Sequence, residues 1–156
     1  MTTPEIPIFH PFMAHDIPGL VAEQARSRPD HPFLIWHPFD DAPRTWTYGV
    51  FARDVERLAA GLLARGIGPG DRVLIHLDNC PELLLAWYGC ARIGAVGVTT
   101  NARSSADELT YFAGHARVMG AITQPAFADL VASCVPSGCW LAVTSHDAGL
   151  PADPGR

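Results

Sequence analysis

Ala91-Arg-Ile-Gly94-Ala-Val-Gly-Val-Thr99-Thr-Asn-Ala-Arg103-Ser-Ser105-Ala-Asp-Glu108-Leu109 is the stretch on which the fold turns. It reads as the end of a helix, a glycine stop at Gly94, a short buried strand over 95–99, a turn, and a second helix opened by Ser105. Ser105 and Glu108 have capping-box spacing: the hydroxyl accepts from the amide three residues on, and the carboxylate reaches back to the cap amide. The unit is a βα junction, and any chemistry would lie on its rim.

Upstream, residues 71–78 form the clearest strand, with Val73, Ile75 and Leu77 on one face and Leu74 and His76 on the other. Asn79-Cys80-Pro81-Glu82 then opens a helix through residue 93, with Pro81 near its first position and Glu82 in the positive first turn. Leu83, Leu84, Leu85, Trp87 and Tyr88 make that helix apolar nearly all round, so it needs cover on more than one side. Further upstream, Phe51, Val55, Leu58 and Leu62 recur at helical spacing over 48–65, behind a short strand at 45–47. Residues 33–36 form another strand, and Asp40 to Pro43 a turn. Asp16 caps a helix to about Ser27, with Leu20, Val21 and Ala25 on one face, and residues 1–15 form an irregular arm. Downstream of the opening stretch, Leu109 and Phe112 face the core. Strands at 119–123 and 140–144 flank a helix at 126–132, and 145–156 is a polar tail.

Strands alternating with helices imply an α/β fold, a mostly parallel sheet with helices on both faces. Ligands in such sheets sit outside the carboxyl ends of strands; here those ends are 77–79, 99–103 and 123–124. Gly66-Ile-Gly68-Pro-Gly70 looks like a glycine-rich nucleotide loop, but it ends a helix and enters a strand. A phosphate-gripping loop does the reverse, so these glycines read as a helix cap and turn.

Composition narrows the chemistry. A chain that is 48% hydrophobic and 17% charged has the makings of a globular core. A net charge of -5 with no basic run argues against nucleic acid as partner. All 11 basic residues are arginine, which removes Schiff-base and lysine-dependent phosphate chemistry from this chain. The longest apolar run, 83–91, is far short of the roughly 20 residues that span a bilayer, and the first 20 residues lack the layout of a signal peptide, so a cytoplasmic location is expected. The four cysteines lack zinc-ligand spacing and read as reduced thiols. His76 is a site candidate or a histidine partnered within the strand layer. Cys80, at a helix N-terminus, is a candidate for a lowered thiol pKa.

Taken in order, several pieces resemble the N-terminal part of the AMP-forming acyl-CoA synthetases, within the adenylate-forming superfamily. They are Thr45-Trp46-Thr47-Tyr48, Gly66-Ile-Gly68-Pro-Gly70-Asp71-Arg72-Val73, Asn79-Cys80-Pro81-Glu82, Ala91-Arg-Ile-Gly94, and Asn101-x-Arg103 ahead of Asp107-Glu108-Leu109. The resemblance leans toward carnitine and crotonobetaine ligases. It departs at Thr99, Ala102 and Ala106, where relatives often carry proline, and at Val50, where they carry an acid.

The resemblance implies a partial AMP-binding domain over 16–144 and a two-step reaction. A carboxylate attacks ATP to form an acyl-adenylate, and coenzyme A then displaces AMP. ATP, Mg²⁺ and coenzyme A are the implied cofactors of the complete enzyme, with a small carboxylate as substrate. The family's phosphate loop and its C-terminal lysine have no counterpart in this sequence, so the chain is expected to be an N-terminal fragment without adenylating activity of its own. The alternative is an interaction module that docks a complementing C-terminal fragment. One family role carries over by position: Arg103 corresponds to an arginine near the coenzyme A phosphates, against the plainer reading of a solvated turn arginine.

Overall fold

The computed structural model describes residues 16–38 and 42–147. Its centre is a four-stranded sheet in which β3 (Arg72–His76) pairs in parallel with both β4 (Val96–Thr99) and β5 (Gly120–Thr123), and β6 (Trp140–Val143) extends it beyond β5. Val73, Leu74 and Ile75 are fully buried, as a strand with helices on both faces requires. Each contributes on the order of 1.5–3 kcal/mol by leaving water.

The two faces are covered by different helices. Val73, Ile75 and Leu77 pack with Leu62 of α2 (Tyr48–Ala64) and with Ala86 and Cys90 of α3 (Pro81–Arg92). Leu74 and Ala121 pack on the other face with Ala113 of α4 (Ala106–Ala116) and Val131 of α5 (Ala128–Cys134). The predicted alternation in the central strand, and the mostly parallel sheet with helices on both faces, are therefore observed. A separate antiparallel hairpin, β1 (Pro32–Trp36) with β2 (Arg44–Thr47), stands apart from the sheet. It forms a smaller core of Val21, Trp46, Phe51 and Val55 between α1 (Ile17–Ser27) and α2.

Local sequence sets most boundaries. The Asp16 carboxylate caps α1 by accepting from Gly19 N, and the Thr47 hydroxyl caps α2 through Val50 N. The Ser105–Glu108 capping box is complete at the start of α4. Gly66 and Gly94 both end helices at positive φ, +80° and +72°. Behind Gly94, the Gly70 amide donates to the Gly94 carbonyl at 2.8 Å and ties the turn before β3 to the turn before β4.

Several expectations change. The strand expected to be buried over 95–99 is β4, which lies at the sheet edge with Val96 and Thr99 exposed. The central strand is shorter than 71–78, because Asp71 turns back to accept from Gly68 N at 2.8 Å and Asp78 is engaged beyond the strand. The expected helix at 126–132 is a 3-10 turn, Pro125–Phe127, followed by α5. Phe112 is exposed, while Leu109 and Ala113, one turn apart, form the buried stripe of α4. In α1, Val21 is buried and Leu20, about 100° round the helix, is exposed. The irregular arm and most of the polar tail lie outside the described residues, as does part of the predicted 40–43 turn.

Candidate functional site

The chain leaves β3 for α3 on one face of the sheet, and leaves β5 for α5 on the other. The crevice between neighbouring strands with opposite exits is where open α/β sheets commonly hold ligands. Here it is bridged. Gln124, almost fully buried after β5, accepts from Asp78 N at 2.9 Å and donates to Asp78 Oδ2 at 3.0 Å. The expected strand end at 123–124 is thus consumed by a staple to the end of β3.

One strand over, the ends of β3 and β4 enclose a polar cavity of about 330 Å³, lined by Asp78, Asn79, Thr100, Asn101 and Arg103 with Leu77 and Leu83 among its walls. Two of the three expected strand ends meet there. The turn after β4 is closed locally: the Asn101 side chain accepts from Arg103 N at 2.8 Å, and the Asn101 carbonyl from Ser104 N at 2.9 Å. That leaves the Arg103 side chain exposed on the cavity rim. A guanidinium beside two carboxamides suits phosphate oxygens, which accept bidentate donation. Among the described residues no three His, Cys, Asp or Glu side chains group as metal ligands. A phosphate group fits these donors, and among the described residues no cluster suited to Mg²⁺ lines the cavity.

His76 stands at the carboxyl end of β3 with no exposure to solvent. Its ring lies edge-on to Phe127 at 4.9 Å, and Nδ1 is 2.8 Å from Thr100 Oγ1. The Thr100 hydroxyl also lies 3.4 Å from the Ile75 carbonyl, and the neutral tautomer that satisfies both contacts has Nδ1–H donating to that hydroxyl. Nε2 is then a bare, buried acceptor without a partner. Burial holds the His76 pKa below its ordinary value, against the opposing pull of Asp78. Of the two sequence readings, a histidine partnered in the strand layer describes Nδ1 but not Nε2.

Cys80 is not an activated thiol. Burial pushes its thiol up to about 12, more than hydrogen bonds from the α3 backbone lower it, and Glu82 adds to the rise. A helix N-terminus does not activate a thiol that water cannot reach. Cys90 is likewise raised by burial, to about 11. Sequence reasoning missed Gln124 and Thr100 as organising residues. Their signal was position alone, a polar residue immediately after a strand.

A family model for AMP-binding enzymes matches residues 21–151, most of the chain. The chain belongs to this family. Crotonobetaine/carnitine–CoA ligase of Citrobacter koseri is 36% identical over 94 residues, 60% of this chain and 18% of that relative. The match thus spans less than a fifth of the curated relative's length. The Klebsiella oxytoca NpsA N-terminal subdomain, solved with 3-hydroxybenzoyl-AMSN, superposes with a TM-score of 0.66 at 27% identity, covering 81% of this chain and 29% of that one. A Mycobacterium tuberculosis fatty acyl CoA synthetase shares the fold at a TM-score of 0.75 and 22% identity, over 90% of this chain and 30% of its own. The α/β architecture is that of an N-terminal portion of adenylate-forming enzymes, as the motif order implied. No described helix is long and apolar enough to cross a membrane.

Proposed function

We propose that this chain forms the N-terminal part of a cytoplasmic, AMP-forming acyl-CoA ligase, and that its direct contribution is the β3–β4 rim, where Arg103 meets a phosphate of coenzyme A. The observation that supports this is the polar cavity beside Arg103 in a chain of the AMP-binding family. In the complete reaction a carboxylate displaces pyrophosphate from ATP, and the thiol of coenzyme A then displaces AMP. Both steps gather negative charge that needs cations and Mg²⁺. A chain with no lysine supplies only arginine for that purpose, so adenylation requires residues beyond these. Carboxylate-dependent exchange of pyrophosphate into ATP is expected to be absent with the purified chain, and its presence would overturn the claim of inactivity. Arg103→Gln is expected to weaken coenzyme A binding about tenfold, the worth of one charge-assisted contact. Unchanged affinity would return Arg103 to a solvated turn residue.

A second reading has its own observation. Apolar grooves of about 230 and 240 Å³ flank α3, one lined by Leu34, Trp36, Cys80 and Leu84, the other by Leu58, Leu85, Ile122 and Ala142. They suit a complementing fragment carrying the rest of the family fold. Size exclusion and pull-down with such a fragment test it: a stable monomer that captures nothing argues for the first reading without docking.

A further inference from the structure

His76 and Thr100 are given no role in the phosphate contact proposed for Arg103, yet they join the buried central strand to the turn that carries that arginine. We infer that His76 is a positioning residue: its Nδ1 hydrogen bond to Thr100 fixes the 101–104 turn, and with it the Arg103 guanidinium, against the cavity. The inference rests on the reading of Arg103 as an anion contact.

The geometry has three parts. His76 is fully buried on β3 and pairs with Thr123 of β5, and its ring packs edge-on to Phe127. Thr123 Oγ1 donates to the His76 carbonyl at 2.8 Å, anchoring the backbone from the β5 side. Thr100 is the last residue before the turn: its amide continues the ladder to Ile75 O at 3.1 Å, and its side chain lines the cavity. The 2.8 Å contact with the buried ring thus adds a side-chain tie to the backbone bond that seats Thr100 at the start of the turn.

The unpartnered Nε2 makes this link sensitive to protons. The groups that face the ring are Thr100 from the end of β4, Phe127 from the 3-10 turn and, electrostatically, Asp78 beyond its own strand, the one of the three that titrates. A proton on Nε2 creates a buried cation with no acceptor. The ring relieves that cost by turning toward water, which breaks the bond to Thr100 and releases the turn.

The experiment is a titration of the isotope-labelled 156-residue chain with coenzyme A, followed by NMR from about pH 8 down to about pH 5, a window that brackets histidine titration. Wild type is compared with Thr100→Val and His76→Asn, the latter placing an amide donor near Nδ1 without a titrating ring. Thr100→Val is expected to weaken coenzyme A about tenfold and to speed hydrogen exchange at Ser104 N–H, whose bond to Asn101 closes the turn. His76→Asn is expected to keep wild-type affinity at the upper pH and to lose the acid-side decline. Unchanged Ser104 exchange in Thr100→Val, or the wild-type pH profile in His76→Asn, overturns the inference. Should coenzyme A not bind wild type at all, the reading of Arg103 fails, while Ser104 exchange still decides the positioning role.

Discussion

Gly120 faces the Trp140 ring across the β5–β6 pair so closely that an added Cβ would lie 2.1 Å from it. The half-buried indole packs against the sheet's core, so the ring must shift to admit a methyl group. Gly120→Ala is expected to cost about 1–3 kcal/mol through overpacking, seen as a lower urea midpoint with an unchanged slope. Cys80 makes the opposite point about reactivity. With its thiol raised to about 12 and the side chain 8% exposed, iodoacetamide at about pH 8 is expected to leave it unmodified until the chain unfolds; rapid alkylation of the folded protein would contradict this. In neither case does the sequence show the surroundings that decide the outcome. The weight of a glycine depends on a ring that arrives from 20 residues later, and the state of a thiol depends on how much water its helix end meets.

Helices and strands were far more legible, because their signals are local. Ser105 and Glu108 predicted the capping box, and both halves of it form: Glu108 N donates to the Ser105 hydroxyl, and Ser105 N to the Glu108 carboxylate at 2.8 Å. Ser105→Ala is expected to cost about 1 kcal/mol and to raise amide exchange in the first turn of α4 before that of any other helix. The alternation in 73–77 likewise placed residues on the two faces correctly. The sequence misled where an element's environment decides. Phe112 has the hydrophobicity of a core residue, but α4 meets the sheet through the narrower stripe of Leu109 and Ala113. The cavity rim was half legible: two strand ends were correctly expected beside it, while the third was lost to Gln124, whose pairing with Asp78 spans 46 residues.

For the whole molecule, pH dependence follows from the buried histidine. The unfolded chain binds a proton at His76 near the ordinary value of about 6.5, whereas the folded chain resists it, so the unfolded state holds more protons just below that pH. The stabilisation from a neutral His76 is fully present above about 6.5 and is lost as pH falls toward and through the depressed folded value. Urea midpoints are therefore expected to fall across this window, and the fall to shrink in His76→Asn; parallel profiles would contradict the assignment. The sheet's outer boundary has a consequence of another kind. Among the described residues β6 is bonded on one side only, and its Trp-Leu-Ala-Val run carries neither charge nor proline, with Val143 about half exposed. Such a strand is a template on which further strands can add, one chain after another. At high concentration the limiting property of this protein in solution is then colloidal: Val143→Lys is expected to suppress concentration-dependent light scattering, because one charge on that row makes every added strand repel the next.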